Sequence, residues 1–157
     1  MFDNLKSLGD RVGKIKQEMV VEGKSVIKDT LKELFAAFPM IESVKWTQYT
    51  PYFNDGDACE FSVNDVEIKL GGAIGKAIEA SEDDEINELG GWINLEYDNV
   101  DNVDGIDKLT KNALSKAIKS LNEGFQDLED AMYESFGDHV EIVATRTSID
   151  VNECSHD

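Results

Sequence analysis

Leu5, Leu8, Val12, Ile15 and Met19 recur at alternating spacings of three and four, and Ile27, Leu31, Leu34 and Phe38 resume the pattern after a gap. That spacing puts them on one face of a helix running from about Asn4 to Phe38. Gly9, Gly13 and Gly23 interrupt it, and each weakens a helix by about 1 kcal/mol relative to Ala. The expectation is a firm half from about Lys24 to Phe38 and a softer front half, with residues 1–22 a loosely attached helical arm. Pro39 ends the element, because the residue before a proline is pushed out of the α region.

The period then changes. Ser43–Thr50 is rich in β-branched and aromatic residues and reads as a strand. Asn54-Asp55-Gly56-Asp57 is a turn signal, Cys59–Val63 the return strand, and Asn64-Asp65 a second turn into Val66–Leu70, which together suggest a meander. Gly71-Gly72 stops the sheet, and Ala73–Glu88 reads as a short helix followed by an acidic loop. Trp92–Tyr97 reads as a further strand. Asp101 and Asp104 offer N-caps for a second long helix over about Ile106 to Phe136, with Leu114, Ile118, Leu121, Phe125, Leu128 and Met132 on one face and Gly137 ending it. Val140–Thr145 and Ile149–Val151 form a last strand or hairpin. This order predicts a single α+β domain over residues 1–157, an antiparallel sheet of about four to six strands packed against two long amphipathic helices. The second helix is expected to bury its stripe on its own sheet. For the front of the first, burial on its own body and pairing with another chain stand level.

Charge adds a second layer. The chain of 157 residues carries 33 acidic and 15 basic side chains, a net charge of −18. Residues 1–38 are +1, which leaves −19 for the rest, and Ala77–Asp107 contains no basic residue. Within that stretch, residues 77–105 read as an acidic loop region. Such a balance opposes direct binding to nucleic acid or anionic lipid and favours a basic protein partner. Two cysteines, Cys59 and Cys154, are too few for a disulfide framework. The N-terminus has no apolar core of a signal peptide, and no apolar run reaches membrane-span length. A cytoplasmic protein is the expectation, with both cysteines as thiols.

Motifs for chemistry fail one by one. Gly71-Gly72-Ala73-Ile74-Gly75-Lys76-Ala77 lacks the first glycine and the Ser/Thr of a phosphate loop, since Leu70 and Ala77 stand there. Aligning Gly105 with the glycine of a calcium loop puts Val100 at the first ligand position and Lys111 where a glutamate belongs. His139, Cys154 and His156 fall short of a four-ligand zinc set. Asp55, Asp57 and Glu60 could form a carboxylate–metal site, but no histidine or phosphate-binding element accompanies them. No catalytic residue, metal or cofactor is therefore expected.

The densest segment is Trp46–Asp57, with four aromatics beside two carboxylates. It reads either as aromatic core packing plus a turn or as a surface where aromatic anchors meet a partner. Partner-binding candidates are Trp46, Tyr49, Tyr52, Phe53, Asp55 and Asp57, together with the acidic run Glu82, Asp83, Asp84, Glu85 and Glu88. The run WTQYTPYFNDGDACEFSV and the terminal DHVEIVATRTSIDVNECSHD resemble small uncharacterised proteins of bacteria and their phages. That resemblance carries no activity and no functional residue. It implies a phage or mobile-element accessory protein in the cytoplasm of a bacterial or phage-infected cell.

Two roles follow. One is a non-enzymatic acidic binding protein, an inhibitor that presents a nucleic-acid-like negative surface to a nucleic-acid-binding host enzyme. The alternative is a self-associating structural or assembly protein, a homo-oligomer formed through its helical apolar stripes and the N-terminal helix.

Overall fold

The computed structural model describes residues 1–53, 55–98 and 100–155. Helix α1 spans Asp3–Ala37 without a break, so the glycines of its front half do not interrupt it. Its second half buries Ile27, Leu31, Leu34 and Phe35. Its root is held by Arg146, whose guanidinium donates to Ile41 O at 2.7 Å, Pro39 O at 3.0 Å and Phe35 O at 3.3 Å. These donors meet carbonyls at and just beyond the negative end of the helix dipole.

Strand β1 (Ile41–Tyr49) is the centre of an antiparallel sheet. On one edge it pairs with β4 (Val140–Ala144), which turns into β5 (Ile149–Glu153). Along its other edge lie both β2 (Ser62–Val63) and β3 (Glu67–Leu70). The expected meander is thus corrected. Asn64-Asp65 does not reverse the chain but interrupts one line of pairing. Asn64 N bonds Thr47 O at 2.9 Å and its side chain donates to Thr47 Oγ1 at 2.8 Å, while Val66 N is taken by Asn122 Oδ1 at 2.8 Å. The return strand is correspondingly short, and Cys59–Phe61 stays outside it.

The expected strand at Trp92–Tyr97 is a second correction. Only the bridge Ile68–Ile93 forms. Asn94 Oδ1 accepts from Glu96 N and Asp98 Oδ2 from Asn94 N at 2.8 Å. These local bonds take the amides that a ladder would use. The second long helix is two helices, α4 (Lys108–Asp127) and α5 (Glu129–Phe136), joined through the non-helical Leu128. Its N-cap is Asp107, accepting from Thr110 N at 2.7 Å, rather than Asp101 or Asp104. Gly137, at φ 93°, closes α5. The acidic stretch holds the end of α2 (Gly72–Glu79) and α3 (Asp84–Glu88), and Ile78, Leu89, Ile93, Val103 and Ile106 anchor it in the core.

One face of the sheet carries the helical layer. Trp46, 1% exposed, packs its ring 4.8 Å from Phe125 and 5.9 Å from Phe136. Gln48, fully buried beside it, accepts from Trp46 Nε1 at 3.2 Å and donates to Met132 O at 2.9 Å and Gly137 O at 2.8 Å. Helix α5 in turn receives α1. Their axes cross where Gly23 faces Ser135, whose hydroxyl donates to Met19 O at 3.4 Å.

The glycines of α1 therefore differ. A β-carbon at Gly23 would sit 2.5 Å from Ser135 Oγ, whereas Gly9 and Gly13 face open space. Gly23→Ala is expected to lower stability by about 1 kcal/mol net, the roughly 1–3 kcal/mol cost of displacing the Ser135 hydroxyl being partly offset by the roughly 1 kcal/mol a helix gains from Ala over Gly. Gly9→Ala and Gly13→Ala should raise the helical signal at 222 nm and leave the urea midpoint in place. Equal midpoints for Gly23→Ala and the native chain would refute this account of the crossing.

Candidate functional site

The candidate residues fall into separate places. Trp46 is core, and its expected role at a partner surface is corrected. Strand alternation puts Trp46 and Gln48 on one face of β1, and that face is the one beneath the helices. Tyr49, next along β1, is partly buried. Tyr52 and Phe53 are 68% and 76% exposed, and Asp55 and Asp57 are also exposed. Asp55 and Gly56 take positive φ of 34° and 92°, as a tight turn requires; Asn54 of that turn lies outside the described residues.

Glu82, Asp83, Asp84, Glu85 and Glu88 are exposed on and around α3. Asp83 accepts from Glu85 N at 3.0 Å and caps that helix. Helix α3 belongs to the segment that follows Leu70, which pairs with Ile41 at the start of β1, whereas Tyr52–Asp57 follows its end. A nine-residue strand is roughly 27 Å long, and the two acidic groups leave the sheet at its opposite ends.

At the Tyr49 end, Asp138 gathers the Thr50 backbone N–H and hydroxyl, each at 2.7 Å, and the His139 N–H at 2.8 Å. His139 Nε2 lies 3.6 Å from the same carboxylate, and its ring stacks on Tyr52 at 5.0 Å. Burial pushes the Asp138 carboxyl up, but the Thr50 and His139 hydrogen bonds and the imidazole charge outweigh it and hold the group below the usual carboxylate range. The cluster locks the exit of β1 to the start of β4. The His139 carbonyl accepts from Cys154 N at 2.8 Å; His156 lies outside the described residues. Among the described residues no three His, Cys, Asp or Glu side chains gather as a metal site, and Cys59 and Cys154 are free. Among the described residues no helix is long and apolar enough to cross a membrane.

A different surface, one that sequence reasoning missed, is a groove between the second half of α1 and α4–α5. It holds about 550 Å³ and is walled by Val26, Thr30 and Ala37 on one side and by Ala117, Gly124 and Ala131 on the other. Its floor is apolar, with Leu34, Leu121 and Phe125. The small side chains of α4 and α5 leave the space between the two walls unfilled. Their spacing in the sequence looks like any helix surface, so nothing there announced a groove.

The front of α1 is equally distinctive. All residues from Asp3 to Glu18 are exposed, and Leu5, Leu8, Val12 and Ile15 are 68%, 50%, 42% and 55% exposed. This stretch is about 24 Å of free helix. The chain matches no protein-family model, no curated protein and no solved structure.

The Asp138 cluster sets a pH dependence. A depressed carboxyl contributes stability that is complete above its unfolded value of about 3.9 and is lost as pH falls through the lower folded value. Asp138→Asn should destabilise the protein at pH 7 and flatten the decline below about pH 4 relative to the native chain. Urea unfolding from pH 7 to pH 2 reads both. An unchanged slope in that acid window would show that Asp138 titrates alike folded and unfolded.

Proposed function

We propose that this protein works by binding, without catalysis of its own, and that the binding element is the apolar face of α1. Of the two roles the sequence offers, assembly through helical stripes is supported better than an acidic decoy for a nucleic-acid-binding enzyme. The observation that carries it is the free front half of α1, which presents Leu5, Leu8, Val12 and Ile15 to solvent in one line. Helices of this length are marginal alone in water, and two glycines weaken this one further. A contiguous apolar stripe on such a helix marks a surface meant to be covered. The accessory role implied by the WTQYTPYFNDGD resemblance fits a small chain of this kind.

The acidic reading keeps support at one end of the molecule only. Glu82, Asp83, Asp84, Glu85 and Glu88 stay exposed on a segment whose apolar residues are anchored, which suits a basic partner. Trp46 is unavailable to it, and the Asp55–Asp57 turn leaves the other end of the sheet.

A photo-crosslinking amino acid in place of Val12, on the stripe, should yield a discrete adduct in purified protein or in extract of the host cell. The same group in place of Asp10, on the opposite side of the helix, should yield none. If neither position gave a discrete adduct in either setting, α1 would not be the binding element.

A further inference from the structure

We propose that the occupant of the groove between α1 and α4–α5 is the front half of α1 from a second copy of this chain, exchanged reciprocally in a closed antiparallel pair. The inference rests on the binding role proposed for α1 and adds the partner and its seat. Its first support is continuity. At 3.6 residues per turn, Leu5, Leu8, Val12 and Ile15 fall on the same side of α1 as Met19, Val26, Thr30 and Ala37, which line the groove. The buried residues Ile27, Leu31 and Phe35 point elsewhere, so the two runs that the sequence spacing joined as one face lie on different sides of α1, a correction to that reading. One face of one helix is thus a free stripe in its first half and a groove wall in its second. Two such helices, laid antiparallel about a twofold axis near Met19, put each stripe into the other groove.

Length agrees with this. The free segment is about 24 Å, and the groove follows α1 from Met19 to Phe38, about 28 Å. Charge agrees as well. Residues 3–18 carry Lys6, Arg11, Lys14 and Lys16 against Asp3, Asp10 and Glu18, a net +1, which leaves −19 for the rest of a chain that totals −18. The groove edge carries Glu22 and Glu33. In the antiparallel register Arg11, which flanks the stripe, reaches the level of Asp29 of the second copy. A free helix with the opposite sign to its own body is drawn to another such body. Area is the last support. Two helical contacts, each about 24 Å by 10 Å, bury on the order of 1,000 Å² of total surface, the size a specific interface needs. The twofold arrangement leaves neither stripe nor groove unfilled, and it closes.

Sedimentation equilibrium of the purified full chain should show a dimer in the micromolar range. Leu8→Glu with Ile15→Glu spoils the stripe. Val26→Glu with Ala37→Glu spoils the groove wall at positions that are exposed in the single chain. Each pair should weaken the dimer by about 100-fold or more, because a carboxylate is forced into an apolar contact. Each should leave the near-ultraviolet signal of buried Trp46 intact, which separates lost association from lost folding. Mixing the two variants should give a heterodimer tighter than either variant's own dimer and weaker than the native one, since one of its two seats pairs a sound stripe with a sound groove while the other carries both lesions.

A monomer at every concentration, a dimer that survives the stripe variant, failure of the mixed variants to associate, or an open polymer would each overturn the exchange. So would an apolar small molecule retained by a monomeric chain in native mass spectrometry. The binding role is judged separately. An adduct from position 12 to another protein, with the chain itself monomeric, removes the second copy and leaves that role standing. No adduct anywhere removes both.

Discussion

A buried amide must have every donor and acceptor met, and Gln48 meets this by tying three elements together. Its oxygen holds the indole of Trp46 in β1, and its nitrogen holds the carbonyls of Met132 and Gly137 in and after α5. The α5 helix is thereby fixed over the end of the central strand. The crossing at Gly23 and Ser135 then fixes α1 on α5, and Arg146 fixes the far end of α1 to the turn after β4. Helix α1 is held along its second half by these contacts and along its first half by almost nothing. An ion pair from Lys16 to Glu134 at 3.8 Å reaches into the exposed segment 3–18, and exposed pairs of this kind contribute little.

Much of this architecture was legible in the sequence. The 5-8-12-15-19 spacing announced the front of α1, and the glycines announced its weakness. The structure gives both a place, since the helix is continuous but unsupported. The same three glycines were not alike, and the sequence could not tell them apart. Gly23 is small because Ser135 lies against it, a fact of tertiary packing.

The misses have local causes. Trp92–Tyr97 has strand composition, but Asn94 and Asp98 satisfy the neighbouring amides themselves. Asn64-Asp65 has turn composition, but Thr47 and Asn122 capture it as an interruption in one line of pairing. Trp46 reads as a surface candidate in the sequence because its segment mixes aromatic and polar residues on both strand faces. Alternation gave the faces correctly without saying which one was covered. The groove had no signal at all, because Ala117, Gly124 and Ala131 acquire meaning only once α1 stands opposite them.

The acidic composition also takes a more specific form. Its carboxylates cap α3 at Asp83 and α4 at Asp107 and brace the Asn94 turn at Asp98, while the apolar residues among them join the core. The result is a negative body bearing one helix of mild positive charge and exposed apolar character. The two features that look unfinished in a single copy, a bare stripe and an open groove, lie on one continuous face.

Amide hydrogen exchange resolved along α1 is the most direct measurement of that relation. In dilute protein the amides of residues 3–18 should exchange at nearly unprotected rates, because a short, glycine-weakened helix opens readily. As concentration rises they should become protected together with groove residues such as Val26 and Ala117, on one binding curve. Free exchange of residues 3–18 at all concentrations, or protection already complete at high dilution, would contradict the account.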